Sequence, residues 1–196
     1  PIEFRIMNSA KEGTRRSDGP IHPKIGCIEV LEAMKNHPHY KAPLNKPNTG
    51  RGIAVGYWFN AGLESSAHIN VNNDGTINLV EGSTDIGGSR TSLSMQAAEV
   101  LGIAVEDVNP SVADTDSVGY TAVTGGSRVT FATGTAVYRA AQDVKQQMTE
   151  RAALLWDVNH ESVEMKKGIV TSTADNRLRM TFKELAAELN DTGGPV

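Results

Sequence analysis

Cysteine is almost absent from this sequence, because Cys27 is the only one among 196 residues. An internal disulfide framework is therefore excluded, and a reducing cytoplasm is the simpler expectation for the location. Cys27 lies on the edge of an apolar helical stripe, which favours a small buried core residue over a nucleophile. Long apolar runs are missing too: no stretch has the length of a membrane span, and the N-terminus lacks the pattern of a signal peptide.

An excess of one charge is missing as well. The 19 basic and 23 acidic residues give a net charge of -4, so we expect neither a nucleic-acid partner nor a membrane partner. A chain of this length suits one domain or a lobe of something larger. It starts at Pro1 and stops in a Thr-Gly-Gly-Pro-Val stretch that is typical of an interrupted linker. We therefore expect a processed or excised piece of a longer protein.

Turn residues and periodicity divide the chain into three parts. Residues 1–49 are predicted to be a lead-in with a helix and a linker, residues 50–191 the main α+β lobe, and residues 192–196 a truncated linker. In the first part, apolar residues that recur every three positions predict a helix over residues 24–37. We expect this helix to lie on the core.

The main lobe combines strand and helix patterns. Strands are predicted at residues 52–60, 65–72, 76–82 and 108–113. Helices are predicted at residues 91–101, 127–156 and 182–189, with a closing hairpin at residues 161–180. The Asn-Asn-Asp-Gly run at residues 72–75 predicts a tight antiparallel hairpin between the second and third strands. Together these patterns predict an α+β fold with a mixed, largely antiparallel sheet covered by helices.

Two glycine loops of identical sequence each open a helical pattern. Both read Gly-Gly-Ser-Arg, at residues 87–90 and 125–128. Paired glycines let backbone N–H groups approach an anion, a helix start adds partial positive charge, and Ser127 suits the N-cap of the long helix. Arg90 and Arg128 each add a cation able to grip phosphate in a fork. We therefore expect the two loops to converge on one phosphate-bearing ligand.

Simpler interpretations compete with binding at several positions. A Gly-Gly-Ser sequence can be only a tight turn plus a cap, although its duplication favours binding. Neither loop matches the mononucleotide or dinucleotide glycine motif, and no Gly-x-Ser-x-Gly elbow is present. His37 and His39 lack a third metal ligand nearby, so solvated loop residues are the better expectation. Asp114 and Asp116 start like a calcium loop but lack its closing glutamate, which favours a turn.

Five short motifs follow one another along the lobe. They are Gly-Ser-Thr-Asp-Ile-Gly at residues 82–87, Gln-Ala-Ala-Glu-Val-Leu-Gly-Ile at 96–103, Asp-Thr-Asp at 114–116, Thr-Gly-Gly-Ser-Arg at 124–128 and Gly-Thr-Ala-Val at 134–137. Their order and spacing resemble the molybdopterin-binding large subunit of the xanthine dehydrogenase, aldehyde oxidase and carbon monoxide dehydrogenase family of molybdenum hydroxylases. Residues 2–8 and 50–56 also resemble segments of that subunit.

This resemblance implies a molybdenum-cofactor-binding-domain-like fold and a share of a molybdopterin or molybdopterin cytosine dinucleotide site in the full-length subunit. In such enzymes oxygen derived from water is inserted into a carbon–hydrogen bond, and electrons leave through iron–sulfur and FAD subunits or domains. The implied partners are those and the rest of the large subunit. The residues implied to hold the pterin and its phosphate are Gly87, Gly88, Ser89, Arg90, Thr124, Gly125, Gly126, Ser127 and Arg128.

The sequence departs from the family in two respects. The first loop lacks the glutamine that many relatives place between its glycines, and the Gly-x-Gly-Glu segment with the catalytic glutamate is not in this chain. Glu64, Glu81 and Glu99 lie outside any such motif, so no catalytic residue and no metal ligand is nominated. We expect a cofactor-binding fragment that is not active alone. The alternative is a non-catalytic binding or structural module that keeps the fold without the cofactor.

Overall fold

A computed structural model describes residues 1–114 and 116–196 of the chain. Thr115, the middle residue of the Asp-Thr-Asp motif, lies outside the described residues. The chain divides into two compact units, Pro1–Tyr57 and Trp58–Val196. The boundaries predicted at residues 49 and 191 stay predictions.

The first unit contains three helices, α1 (Ile2–Asn8), α2 (Cys27–Asn36) and α3 (Pro38–Lys41). Helix α2 confirms the predicted helix, and none of its residues belongs to the core cluster of the second unit. It contacts α1, and Leu31 is its only buried residue. Cys27 is half-buried and not part of the core. Three-residue spacing predicts the helix face correctly, but only the fold decides how much apolar surface is available to cover it.

The strand predicted at residues 52–60 is wrong, because this stretch is irregular throughout. A strand needs a neighbour for its backbone groups, and no ladder includes these residues. The carbonyl of Ile53 instead accepts a hydrogen bond from the Arg5 guanidinium at 2.8 Å. Apolar composition is therefore not enough here to make a strand.

The second unit begins with a three-stranded mixed sheet of β1 (Ala67–Val71), β2 (Ile77–Glu81) and β3 (Val108–Val112). Strands β1 and β2 form the predicted antiparallel hairpin, with Ala67 opposite Glu81. Its turn is held by Asp74, whose carboxylate accepts from the amide of Thr76 at 3.0 Å. Strand β3 pairs with β2 in parallel, because the intervening helix returns the chain to the same edge of the sheet.

Two long helices cover this sheet, α4 (Ser89–Leu101) and α5 (Gly134–Trp156). They contact each other, and α5 also packs on β1. The predicted stop of α4 at Gly102 is confirmed, since this residue has φ of 70° and its amide donates to Ala98. The core therefore lies between the inward strand residues and one face of each helix.

The long helix predicted from residue 127 starts later than expected. Val129–Thr133 is a π-helical turn, and regular α5 begins only at Gly134. Ser127 is not an N-cap, because its backbone has φ of 53° and no side-chain cap was found at either helical start. A π turn widens the helix at its beginning, which is a common device at functional sites.

A second, antiparallel sheet contains β4 (Val163–Lys166), β5 (Ile169–Ser172) and β6 (Arg179–Thr181). The sequence predicts one hairpin here and the structure has two, because Lys167 and Gly168, with φ of 49° and 71°, make an additional tight turn. Helix α6 (Phe182–Ala187) follows with Thr181 as its cap, as predicted. The predicted α+β class is confirmed, with two small sheets instead of one.

The C-terminal residue packs on the core of the second unit. Val196 is buried in the core cluster, and its carbonyl accepts a hydrogen bond from the amide of Val71 at 2.7 Å. No helix among the described residues is both long enough and apolar enough to cross a membrane.

The cap of α6 gives a stability prediction. The Thr181 hydroxyl accepts from the amide of Glu184 at 3.1 Å, and the Glu184 carboxylate accepts from the amide of Thr181 at 2.7 Å. Replacing Thr181→Ala should lower the free energy of unfolding by about 1 kcal/mol, measured by urea denaturation. Thr181→Ser keeps the hydroxyl and should stay near the parent value. Equal stability of the parent and the alanine variant would contradict the prediction.

Candidate functional site

The two glycine loops lie side by side in the second unit. The first follows β2 and leads into α4, and the second leads into α5 through the π turn. Their contact is direct, since the hydroxyl of Thr84 donates to the hydroxyl of Thr124 at 3.2 Å. The fold therefore brings together the two segments that the sequence singled out, which lie about forty residues apart in the chain.

In the first loop, Gly87 and Gly88 have φ of 60° and 90° and are exposed. A Cβ added to either would meet nothing within 4 Å, so open space lies beside the backbone. Their amide N–H groups donate to no acceptor among the residues that the structure describes. These two positions therefore offer donors and room for a ligand.

The start of α4 already carries a negative charge. Asp85 accepts hydrogen bonds from the amide of Arg90 and the hydroxyl of Ser89, both at 3.1 Å. The backbone hydrogen bond from Arg90 is the main cause that lowers the pKa of Asp85. Ser89 is buried beneath the loop, whereas the Arg90 side chain is half exposed with its Nε 3.5 Å from Asp85. An anion bound at the start of α4 would therefore lie close to the negative charge of Asp85.

In the second loop, Gly125 and Gly126 differ in their surroundings. Gly125 is exposed, and a Cβ there would meet nothing within 4 Å. Gly126 has φ of 65°, and a Cβ there would lie 2.6 Å from the Cβ of Ala61. Its carbonyl accepts from the amide of Ala61 at 2.9 Å, and Asn60 donates to the carbonyl of Ser127 at 3.0 Å. Gly125 faces open space, and Gly126 packs against the chain before β1.

Arg128 points into the protein and not toward the loop surface. Its side chain is 1% exposed. Its Nε donates to Gly62 O at 2.6 Å, its Nη1 to Ala122 O at 2.9 Å, and its Nη2 to Glu64 O at 2.5 Å. The expected grip on phosphate through this guanidinium is therefore not what the structure shows, because backbone carbonyls take up the donors. Arg90 has no comparable set of partners.

Glu81 is a buried carboxyl that the sequence reasoning left without a role. It is 1% exposed, one oxygen accepts from the amide of Ser83 at 2.5 Å, and Oε1 has no partner among the described residues. Burial raises the pKa of Glu81, although hydrogen bonds from Ser83 oppose the shift. The sequence pattern indicates this burial: Ile77 and Leu79 point inward at every second position of β2, and Glu81 is the next residue on the same face.

The other polar candidates have structural roles. His37 accepts from the amide of His39 at 3.2 Å and so caps the short helix α3. Asp114 accepts from the amides of Asp116 and Ser117, both at 3.0 Å, which confirms a turn. Within residues 1–114 and 116–196, no group of three or more His, Cys, Asp or Glu side chains is arranged to hold a metal ion.

The family profile of the molybdopterin cofactor-binding domain matches residues 30–195. The chain belongs to this family. The resemblance seen in the motifs to xanthine dehydrogenase, aldehyde oxidoreductase and carbon monoxide dehydrogenase large subunits is thereby confirmed.

Relatives of this molybdopterin-binding family match most of the chain. The xanthine dehydrogenase molybdenum-binding subunit of Escherichia coli O157:H7 is 29% identical over 96% of the chain and 27% of its own length. Carbon monoxide dehydrogenase from Oligotropha carboxidovorans matches 64% of the chain and 16% of its own with a TM-score of 0.60 at 28% identity. Quinoline 2-oxidoreductase from Pseudomonas putida 86 matches 97% of the chain and 27% of its own with a TM-score of 0.75 at 17% identity, which shows the fold alone. The chain spans about a quarter of the length of the curated relatives it matches.

The loops fit a phosphate-bearing pterin in their backbone chemistry. Gly87, Gly88 and Gly125 leave room where a Cβ would stand, and amides without protein acceptors border that room. Amide N–H groups of this kind are common anion ligands. The carboxylate of Asp85 is unfavourable for a bound phosphate, because its negative charge repels an anion.

The surroundings of Gly126 predict a selective loss of stability. Replacing Gly126→Ala should lower the free energy of unfolding by roughly 1–3 kcal/mol, because the side chain meets Ala61 and the backbone conformation disfavours it. The neighbouring Gly125→Ala serves as the control and should change stability by less than about 0.5 kcal/mol. Denaturant unfolding of both variants gives the comparison. Similar losses in the two variants would contradict the packing argument.

Burial of Glu81 predicts a pH-dependent stability difference. The folded protein holds the Glu81 proton more tightly than the unfolded chain, so this group's stabilising contribution is present at low pH and is lost as the pH rises through the raised pKa. Glu81→Gln should therefore gain stability relative to the parent as the pH rises from about 4, near the ordinary glutamate pKa, toward neutral. Urea unfolding across that range measures it, with Glu99→Gln on the exposed face of α4 as the control. Parallel profiles of parent and Glu81→Gln would refute the prediction.

Proposed function

We propose that this chain is the cofactor-holding part of a xanthine dehydrogenase-like oxidoreductase, and that its two glycine loops bind the pterin and its phosphate. The observation that carries the proposal is the contact between Thr84 and Thr124, which sets the two loops side by side within a domain of the molybdopterin-binding family. A pure scaffold would have no need of two such loops at one place.

The loop residues would have different roles in binding the cofactor. Gly87, Gly88 and Gly125 offer amide donors and free space, so they would lie nearest to the cofactor phosphate. Thr124 offers a hydroxyl at the junction, and Gly126 and Ser127 shape the second loop through their contacts with Ala61 and Asn60. Ser89 and Arg90 support the first loop through Asp85, and Arg128 acts from beneath the second.

The cofactor, once bound, would supply the oxidative chemistry of a molybdenum hydroxylase, in which oxygen from water enters a substrate bond. This chain would bind and orient it. None of the described carboxyls is proposed as a catalytic base: Glu64 and Glu99 are exposed side chains, and Glu81 is sealed inside the sheet. The catalytic glutamate would come from elsewhere in the subunit, so we propose that the chain is not active alone.

The proposed partners are the rest of the large subunit together with iron–sulfur and FAD subunits or domains, in the cytoplasm. Two observations support the proposal of further protein partners. The chain corresponds to about a quarter of a relative that is itself named a molybdenum-binding subunit. Large apolar side chains also stand exposed near the second loop, at Tyr120, Val123 and Phe131, as expected of a surface that further protein covers. Molybdopterin and its cytosine dinucleotide are both compatible with these loops.

A second candidate is a binding or structural module that keeps this fold without the cofactor. One observation favours it: the carboxylate of Asp85 already occupies the donors at the start of α4. The first loop also lacks the glutamine expected from the family. This candidate predicts no molybdenum in the natural protein.

Metal and pterin analysis of the longest natural form of the subunit distinguishes the two candidates. We expect near-stoichiometric molybdenum by mass spectrometry and fluorescence of the oxidised pterin. Gly125→Leu would fill the open space beside the second loop and should reduce the molybdenum content by about tenfold or more, with stability little changed because nothing lies within 4 Å of the new Cβ.

The matched control is Gly52→Leu, which also enters open space but lies in the first unit. It should keep the molybdenum. Absence of molybdenum from the parent, made in cofactor-competent cells, would leave the scaffold interpretation. Retention of molybdenum in Gly125→Leu would remove the second loop from the cofactor site.

A further inference from the structure

The buried guanidinium of Arg128 is a permanent positive charge, because arginine does not lose its proton in proteins. It forms no ion pair with any of the described carboxylates. Its partners are neutral instead: the backbone carbonyls of residues 62–64 and of Ala122, and the hydroxyl of Ser65 at 2.5 Å. A buried charge is tolerated only when its hydrogen-bonding groups are satisfied in this way.

These contacts tie the second glycine loop to the segment before β1. Arg128 ends the loop, Ala122 precedes it, and both are held against residues 62–65. Two backbone hydrogen bonds reinforce the same junction, from the amide of Ala61 to Gly126 O at 2.9 Å and from the amide of Ala122 to Glu64 O at 3.0 Å. Leu63 and Ser127 both have positive φ, of 67° and 53°. Such conformations persist where surrounding contacts over-determine them.

A line of three hydroxyls, two of them buried, continues from this junction to the first loop. We call it the hydroxyl chain; it consists of Ser65, Thr133 and Ser83. The hydroxyl oxygens of Ser65 and Thr133 are 3.0 Å apart, and those of Thr133 and Ser83 are 2.7 Å apart. Thr133 is fully buried at the end of the π turn, and Ser83 is buried two residues after the end of β2. The two glycine loops are thus connected from beneath as well as through Thr84 and Thr124.

We propose that Arg128 is a positioning residue for the cofactor, which acts through the loop backbone and not as a phosphate ligand. Its fork fixes the shape of the second loop, and the hydroxyl chain fixes the distance of that loop from the first. This inference rests on the proposed function, and it distinguishes the arginines of the two identical tetrapeptides, because Arg128 is buried whereas Arg90 stays half exposed at the surface. A site ordered before its ligand arrives binds with a smaller loss of entropy.

The test uses the full-length subunit with Arg128→Lys, which keeps the charge and loses the fork. Hydrogen exchange should become at least about tenfold faster in peptides that cover residues 59–66 and 121–127. Peptides over β4 and β5 should be unchanged, because those strands lie in the other sheet. Molybdenum content should fall as well, whereas Arg139→Lys, at an exposed arginine of α5 outside both loops, should change neither exchange in residues 59–66 nor molybdenum content.

Two outcomes would overturn the proposal: unchanged exchange in residues 59–66, or faster exchange there with full molybdenum content. If Arg128→Lys does not fold, Ser65→Ala removes a single acceptor and should give a smaller acceleration in the same two peptides; no local change in that variant would also overturn it. Gly125→Leu tests the loops as the cofactor site independently, so its loss of molybdenum would leave the proposed function standing even where the positioning role fails.

Discussion

The burial of one guanidinium organises the candidate site. Arg128 contributes a charge that cannot be neutralised, and it lies where no described carboxylate compensates it. Several carbonyls must therefore turn toward it, and that requirement dictates the course of residues 62–65 and of Ala122. The second loop, the approach to β1 and the start of α5 can take only backbone paths that satisfy this cation. The glycine at position 126 follows from the resulting close approach to Ala61.

The electrostatics of the site are mixed. Free amides at the glycines favour an anion, whereas the carboxylate of Asp85 opposes one at the start of α4. Glu81 lies deeper, and its burial raises its pKa. The positive contribution to the loops therefore comes from backbone dipoles and from the buried Arg128, which is felt across a low-dielectric interior. An anion would be held by arranged donors more than by surface charges.

The chain is short relative to its relatives, yet its second unit has a core of its own. It spans about a quarter of them and contains a complete core of strands and helices in its second unit. Apolar side chains near the second loop, including Tyr120 and Phe131, stay exposed and are not buried in this core. This arrangement agrees with the proposal that neighbouring protein supplies the remaining chemistry.

Local signals in the sequence determined much of the fold. The Asn-Asn-Asp-Gly turn, the stop of α4 at Gly102 and the Thr181 cap each act over a few residues, so the β1–β2 hairpin, the end of α4 and the start of α6 were predicted correctly. The two glycine loops were found for the same reason. Only the tertiary structure decided that residues 52–60 form no strand, that Ser127 does not cap a helix, and that Arg128 turns inward. The inward turn of Arg128 depends on partners about sixty residues away in the chain, which no local pattern contains.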